Sequence, residues 1–372
     1  MMKISVKSVL IPAVMASVLV VPHTADACTR FVYHGENDLH MTARSMDWSK
    51  PAGTNLWIFP RGMHRESVPG NQGITWTSRY GSVIASADDM ATTDGLNEKG
   101  LSANQLWLTE SVYPDFGSGD KIMPVSIWAQ YVLDNFATVK EAVEELKKET
   151  FVIVTDNEPG TDRLVSLHLS VSDAAGDSAV IEYIDGKLVI DHGNDSNVVT
   201  NSPIFNEQLA LGRYWEEVDG STMLPGSRRS TDRFVRAKFY SEHIPENLTP
   251  DETVAAVLSV IRHTSVPYRT AQTRNATVSG PADARSSTRW RSVADHRNKR
   301  YYFDAVMAPG LIWVDLNNID FSGNTGTVRK LALGNDQQHS FTGNVNSHFR
   351  KSEPFEFIGI GNRTEPHYSI SE

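Results

Sequence analysis

One cysteine stands in the 372-residue chain, in the stretch Ala25-Asp26-Ala27-Cys28-Thr29-Arg30-Phe31. Ala25 and Ala27 put small residues where a signal peptidase inspects its substrate, and the residues upstream fit a leader. Lys3 and Lys7 give a positive start, and Ser8 to Val21 is uncharged and largely apolar. As a helix that run would span about 21 Å, short of the roughly 30 Å core of a bilayer. The expectation is a signal peptide over residues 1–27, cleavage after Ala27, and a soluble periplasmic or secreted chain that begins at Cys28. A cysteine in that position carries a thiol and a free α-amine, whose ordinary pKa is about 7.7 to 8.0. One residue then supplies both a nucleophile and a base near neutral pH, with no separate histidine.

Three other readings of Cys28 stand beside the nucleophile. It could be a buried structural thiol, though a fresh N-terminus is a poor core position. It could be an accident of the cleavage site. It could be a lipoprotein acylation site, which also needs cysteine directly after the cleavage point. That motif usually has Leu at the third position before cysteine, where this chain has Ala25, and Asp26 is charged.

The remaining composition narrows the chemistry. A formal net charge of −10, one unit more negative once the leader is gone, argues against nucleic acid or an anionic membrane as partner. The only membrane attachment open to the chain would be a lipid on Cys28. A single cysteine excludes an intrachain disulfide, so stability must come from a large apolar core. No two of the twelve histidines lie within four positions of each other, which removes the HExxH helix and adjacent-ligand zinc patterns. The GxSxG, GxxxxGK and GxGxxG signatures are also missing. No metal or cofactor is expected, and acyl transfer by a side-chain nucleophile is the default chemistry.

The elements that must position Cys28 read as mixed. "TRFVYHG" and "LHMTAR" alternate as two strands around an "END" turn, a hairpin starting at the nucleophile. "NLWIFPRG" and "GITWTSRYGSVIAS" continue as strands, and "TTDGLNEKGLSANQLWL" reads as a glycine-punctuated loop. "MPVSIWAQYVLDNF" is helical; a second helix opens at Thr138 with Glu141 as a capping box and Val139, Ala142, Val143 and Leu146 as its apolar stripe. "FVIVTD", "LVSLHLSVSD" and "SAVIEYIDGKLVID" return to strands, with Asp185-Gly186 as a hairpin turn. Helices follow over Ser230 to His243 and from Thr249, and "RSVADHRNKRYYFDAV" and "GLIWVDL" read as late strands. Thr264 to Thr288 reads as a surface loop. Without βαβ alternation, the fold class is α+β, with antiparallel sheets covered by helices and one domain over residues 28–372.

Cys28 with "TRFVY", then "ARSMDW" holding Arg44 and Asp47, "DGLNEKGL" at 94–101, "VVTNSP" holding Asn201 and "STDRF" holding Arg233 resembles the choloylglycine hydrolase family. These are N-terminal-nucleophile amidases that include penicillin V acylases and conjugated bile acid hydrolases. The five elements follow in order over nearly the whole chain after the leader. The resemblance implies a four-layer αββα Ntn-hydrolase sandwich. It also implies a task for each matched residue: Cys28 attacks a linear amide and forms a thioester, Arg44 favours the thiolate, and Asp47 holds the α-amine. Asn201 donates to the oxyanion, and Arg233 completes the charge network. Arg44 and Asp47 are three apart on a strand and so face opposite sides, which predicts a bend near Ser45-Met46 if both are to reach Cys28.

Trp107 departs from the family pattern, where bile acid hydrolases have Asn and some penicillin acylases Tyr. With Trp48 it is expected to form an aromatic wall for the substrate. The secretory leader and a short Asn201–Arg233 connection resemble the Gram-negative branch, closer to penicillin V and acyl-homoserine-lactone acylases. The expected partner is a small-molecule amide, with a homo-oligomer, tetramer or dimer, as the assembly the family suggests. The alternatives are a conjugated bile acid hydrolase and, outside enzymes, a lipid-anchored periplasmic binding protein.

Overall fold

A computed structural model describes residues 27–268, 286–322 and 327–361. The expected leader, apart from Ala27, and the central part of the expected 264–288 loop lie outside the described residues. Alternating side chains build the first hairpin, β1 (Ala27–His34) and β2 (His40–Trp48), around a turn in which Asn37 and Asp38 take positive φ of 56° and 58°. Asn and Asp tolerate that region better than other residues with a Cβ. Then come β3 (Leu56–Phe59), β4 (His64–Glu66), β5 (Thr75–Thr77), β6 (Ser82–Ala87), β7 (Ala91–Asn97), β8 (Ser102–Trp107) and β9 (Ile122–Pro124). Helices α1 (Val125–Asn135) and α2 (Val139–Leu146) precede β10 (Val152–Val154), β11 (Leu167–Ser172), β12 (Ser178–Ile184), β13 (Lys187–His192) and β14 (Val198–Val199). Helices α3 (Phe205–Val218), α4 (Ser230–Glu242) and α5 (Pro250–His263) lead to β15 (Ser287–Asp295), β16 (Arg300–Ala305) and β17 (Ile312–Asp315). Short strands β18 (Arg329–Leu331), β19 (Gly343–Asn344) and β20 (Arg350–Lys351) close the chain.

The strands form two large sheets. One has the order β14-β1-β2-β15-β16-β17-β19 and the other β13-β12-β11-β8-β7-β6-β3-β18-β20. Pairing within them is antiparallel except between β17 and β19. Helices α4 and α5 cover the outer face of the first sheet, where Phe234, Ala237, Val257 and Ile261 pack with Phe31, Ala43 and Val293. Helices α1 and α2 cover the second, where Trp128, Val132, Leu133 and Val143 pack with Leu101, Ala103 and Val171. This is the αββα sandwich. Because β1 and β2 lie inside the stack, both their faces are buried, and residues 41–47 are buried without interruption.

Local signals place most helices. Thr138 accepts from the Glu141 N–H at the start of α2, while the Glu141 carboxylate reaches the Ala137 N–H, so the box closes one residue early. Thr249 and Glu252 make a complete capping box on α5, with Pro250 at its first position, an arrangement worth about 1 kcal/mol.

One expectation fails, and one helix was not foreseen. "TTDGLNEKGLSANQLWL" is not a loop but the hairpin β7–β8, buried at the centre of the second sheet. Gly95 is there for close approach: a Cβ would come within 2.8 Å of Leu133 in α1 and of Ile84. Only Gly100, at φ 88°, serves the turn. Helix α3 was not anticipated, because it has no side-chain N-cap and carries Gly212 at mid-length. That glycine lets Phe234 of α4 approach, 3.1 Å from where a Cβ would sit.

Candidate active site

The register of the first hairpin sets the site. Cys28 lies opposite Met46, and Ala27 opposite Asp47. Strand alternation therefore sends Cys28, Arg44 and Met46 toward the second sheet, and Thr29, Ser45 and Asp47 toward α4. The expected bend in β2 is absent. Arg44 approaches the thiol from one face of the strand, and Asp47 on the other face is linked to the Cys28 main chain through Arg233, so no bend is needed. The irregularity lies across the ladder in β15, where Arg289 is inserted between Thr288 and Trp290.

On the thiol face, Arg44 Nη2 is 3.9 Å from Cys28 Sγ and 3.4 Å from Met46 Sδ, and donates to the Gln105 carbonyl at 2.9 Å. Its Nη1 is 4.0 Å from Asp94, and the guanidinium lies 4.6 Å from the centre of the Trp290 ring. Asp94 accepts from Tyr301 (2.5 Å), Asn104 (2.8 Å) and Ser292 (3.1 Å), which fixes it between the sheets. Burial pushes the Cys28 thiol above its ordinary pKa; Arg44 opposes this but is the smaller effect. Arg44 thus acts in the expected direction, toward the thiolate, without outweighing burial. At rest the thiol keeps its proton and needs a base to take it during attack.

On the main-chain face, Asn201 Oδ1 accepts from the Cys28 N–H at 2.5 Å and from Arg233 Nη2 at 2.9 Å. Asn201 Nδ2 donates to the Trp107 carbonyl at 2.7 Å, so its amide orientation is determined by partners on both sides, and one of its two hydrogens is used. Ser230 Oγ accepts from the Asn201 N–H at 2.9 Å, linking this residue to the start of α4. Arg233 Nη1 donates to the Cys28 carbonyl and to Thr29 Oγ1 (2.6 Å), and lies 3.9 Å from Asp47. Asp47 also accepts from Thr288 Oγ1 at 2.5 Å and Ser45 Oγ at 3.2 Å. Burial pushes the Asp47 carboxyl up and the Arg233 guanidinium down, each countered by the other's charge.

The thiol opens on a cleft of about 160 Å³ lined by Arg44, Met46, Trp48, Trp107, Val125 and Leu167 among others. The Trp48 and Trp107 rings lie 5.4 Å apart in a tilted pair, and the Arg163 guanidinium sits 3.7 Å from the Trp107 ring centre. Lys50 and Glu158 form a 2.8 Å ion pair, and Glu158 lines the cleft.

Of the residues singled out from the sequence, Arg44, Asn201 and Arg233 reach Cys28 directly, Asp47 joins through Arg233, and the two tryptophans form one wall of the cleft. Sequence reasoning missed Asp94, Gln105 and Thr288. Asp94 stood inside the quoted "DGLNEKGL", hidden by the loop reading, and the extra residue Thr93 in the β6–β7 ladder breaks the alternation that would have placed it. Among the described residues no group of three His, Cys, Asp or Glu side chains is placed to hold a metal ion. No described helix is long and apolar enough to cross a membrane.

The family model for linear amide C–N hydrolases of the choloylglycine hydrolase family matches residues 28–329. A penicillin V acylase from Pectobacterium atrosepticum is 47% identical over 355 residues, 90% of this chain and 93% of that protein. A bile salt hydrolase/transferase from Clostridium perfringens is 27% identical over 248 residues, 59% of this chain and 73% of that protein. Among solved structures, a penicillin V acylase from Agrobacterium tumefaciens superposes with a TM-score of 0.81 at 52% identity, covering 90% of this chain and all of that one. A conjugated bile acid hydrolase from Clostridium perfringens shares the fold, with a TM-score of 0.66 at 19% identity over 90% of this chain and 99% of that one. By sequence, fold and the order of its site residues, the chain belongs to the linear amide C–N hydrolases of the choloylglycine hydrolase family.

Proposed function

We propose that this protein is an exported amidase that hydrolyses linear amides of ring-sized or fatty acyl groups, of which penicillin V is the model substrate. The observation that carries the proposal is the placement of Cys28: its thiol faces an apolar cleft while its own nitrogen is gripped on the opposite side. Cleavage after Ala27 would convert that nitrogen to a free amine. The thiol, kept protonated by burial, gives its proton to this amine as sulfur attacks the substrate carbonyl. The tetrahedral intermediate collapses to a thioester, the amine returns the proton to the departing nitrogen, and water then hydrolyses the thioester. Asp47 and the Asn201 Oδ1 hold the amine. The second hydrogen of Asn201 Nδ2 is the candidate oxyanion donor, a contact worth about 3 kcal/mol in the transition state.

The cleft volume supports the acyl preference. A dry apolar cavity of about 150 Å³ admits a benzene ring, and about 160 Å³ beside Cys28 suits a phenoxy group better than a four-ring steroid. The greater identity to penicillin V acylases than to bile salt hydrolases points the same way.

A panel of penicillin V, a long-chain acyl-homoserine lactone and glycocholate, run with the mature protein and with Cys28→Ser, tests the reading. Turnover of at least penicillin V, lost in the variant, is expected; no turnover of any amide would overturn it. Export is tested by intact mass. A periplasmic product beginning at unmodified Cys28 is expected, and a diacylglycerol adduct on Cys28 would instead establish the lipoprotein alternative.

A further inference from the structure

The family match ends at residue 329, yet the cleft beside Cys28 is not closed by the residues it covers. Ile358 lines that cleft together with Met90, Ala91, Val125 and Ser126. Its segment is tied down at three points. Ser126 Oγ donates to the Ile358 carbonyl at 2.6 Å, the Ile358 N–H donates to the Met90 carbonyl at 2.9 Å, and the Gly361 N–H donates to Asp156 Oδ2 at 2.6 Å.

Just upstream, two aromatic side chains anchor the strap. Phe355 is buried edge-on against Trp57 and Phe59, with ring centres 4.9 and 5.4 Å away, and Phe357 packs on Phe355 at 4.7 Å. Met90 and Ser126 are at once tie points and cleft residues, so the position of Ile358 and the shape of the cleft are set together. Ile358 itself is 38% exposed. A large apolar side chain whose N–H and C=O are both pinned, yet which is kept out of the core, forms a rim between cleft and solvent.

We infer that Ile358 is a specificity-determining residue: the C-terminal strap supplies one wall of the acyl subsite, and this side chain limits the size of acyl group that can be seated while Cys28 attacks. The inference rests on the amide hydrolysis proposed above. The cleft it helps line is mostly apolar, with Met46, Ala52, Met90, Ala91, Val125 and Leu167 beside the charged Arg44, Asp88 and Glu158, which suits an acyl chain better than a polar amine head. In such pockets one methylene changes kcat/KM by about 10- to 200-fold, so one side chain at the rim is enough to shift a chain-length preference.

The test is kcat/KM for a series of amides sharing one amine, with straight acyl chains from butanoyl to dodecanoyl and a phenoxyacetyl member. The wild type is compared with Ile358→Ala and Ile358→Trp. The Ala variant is expected to raise the long-to-short ratio about tenfold, and the Trp variant to lower it by a similar factor. A merely structural effect would depress all members of the series together and leave the ratio in place. An unchanged ratio in both variants, with an active wild type, would overturn this inference. A wild type inactive on every member would overturn the functional reading beneath it.

Discussion

The two faces of β2 act on the same cysteine in different ways. Arg44 and Met46, on the face toward the second sheet, meet the thiol and line the cleft. Asp47, one residue further along, faces α4 and contacts Arg233, Thr288 and Ser45, and Arg233 in turn donates to the Cys28 carbonyl. The thiol face carries Arg44, 4.0 Å from Asp94 in the opposite sheet, with Arg30 paired across from it on β1. The main-chain face carries a carboxylate and a guanidinium with a denser set of hydrogen bonds. Strand alternation thus separates the tuning of the nucleophile from the holding of its nitrogen, with no bend in the backbone.

That separation can be broken one face at a time. The largest effect is expected from Asp47→Asn, which removes the charge facing Arg233, the donor to the Cys28 main chain. kcat should fall by about 10²- to 10⁴-fold with KM little changed, since general-base assistance is of that size. Breaking a buried ion pair should also cost about 3 to 5 kcal/mol of stability, read by denaturant unfolding. Arg44→Met should act on the thiol instead. With the opposing cation gone, the thiol that burial already pushes up should rise further, so the alkaline limb of the kcat/KM profile, set by loss of the thiol proton, moves to higher pH. Arg44→Lys should recover part of that shift, because it keeps the charge but not the fixed fork of donors. If Asp47→Asn and Arg44→Met gave the same pH profile, the division between the faces would be wrong.

Trp107→Ala leaves both faces intact and tests only the wall of the cleft. It should raise KM for an aromatic acyl substrate about three- to tenfold, the worth of an aromatic contact.

The smallest effect on turnover is expected further along the thiol face. There Thr42 donates to His296 Nε2 at 2.7 Å, and His296 Nδ1–H donates to the Gly100 carbonyl at 2.7 Å. Burial lowers the His296 pKa to about 3, while the unfolded chain titrates near 6.5. Between those values the unfolded state holds the extra proton, so stability should fall as pH drops from about 6.5 toward 3. The loss is about 2 to 3 kcal/mol by pH ~4.5. His296→Gln should flatten this part of the curve.

The site was more legible in the sequence than the sheet that surrounds it. Cys28 behind Ala25-Asp26-Ala27 announced its own chemistry, and the ordered motifs located Arg44, Asp47, Asn201 and Arg233. What the sequence hid were partners brought in by sheet stacking. Asp94 and Gln105 come from a hairpin whose glycines mimic a loop, yet Gly95 is there because α1 presses on the strand. Ile358 was illegible for a different reason: a tail residue with no periodicity becomes part of the cleft only through hydrogen bonds to Ser126 and Met90. Helix α3 lacked a capping residue to mark its start.

The account turns on the nitrogen of Cys28, and one measurement addresses it directly. Turnover of penicillin V is compared between the mature chain and an otherwise identical chain that retains Ala27, in which that nitrogen is an amide. The account predicts a loss of at least about 10²-fold in kcat for the chain with Ala27, with the thiol still titratable in both. Equal turnover by the two chains would contradict it.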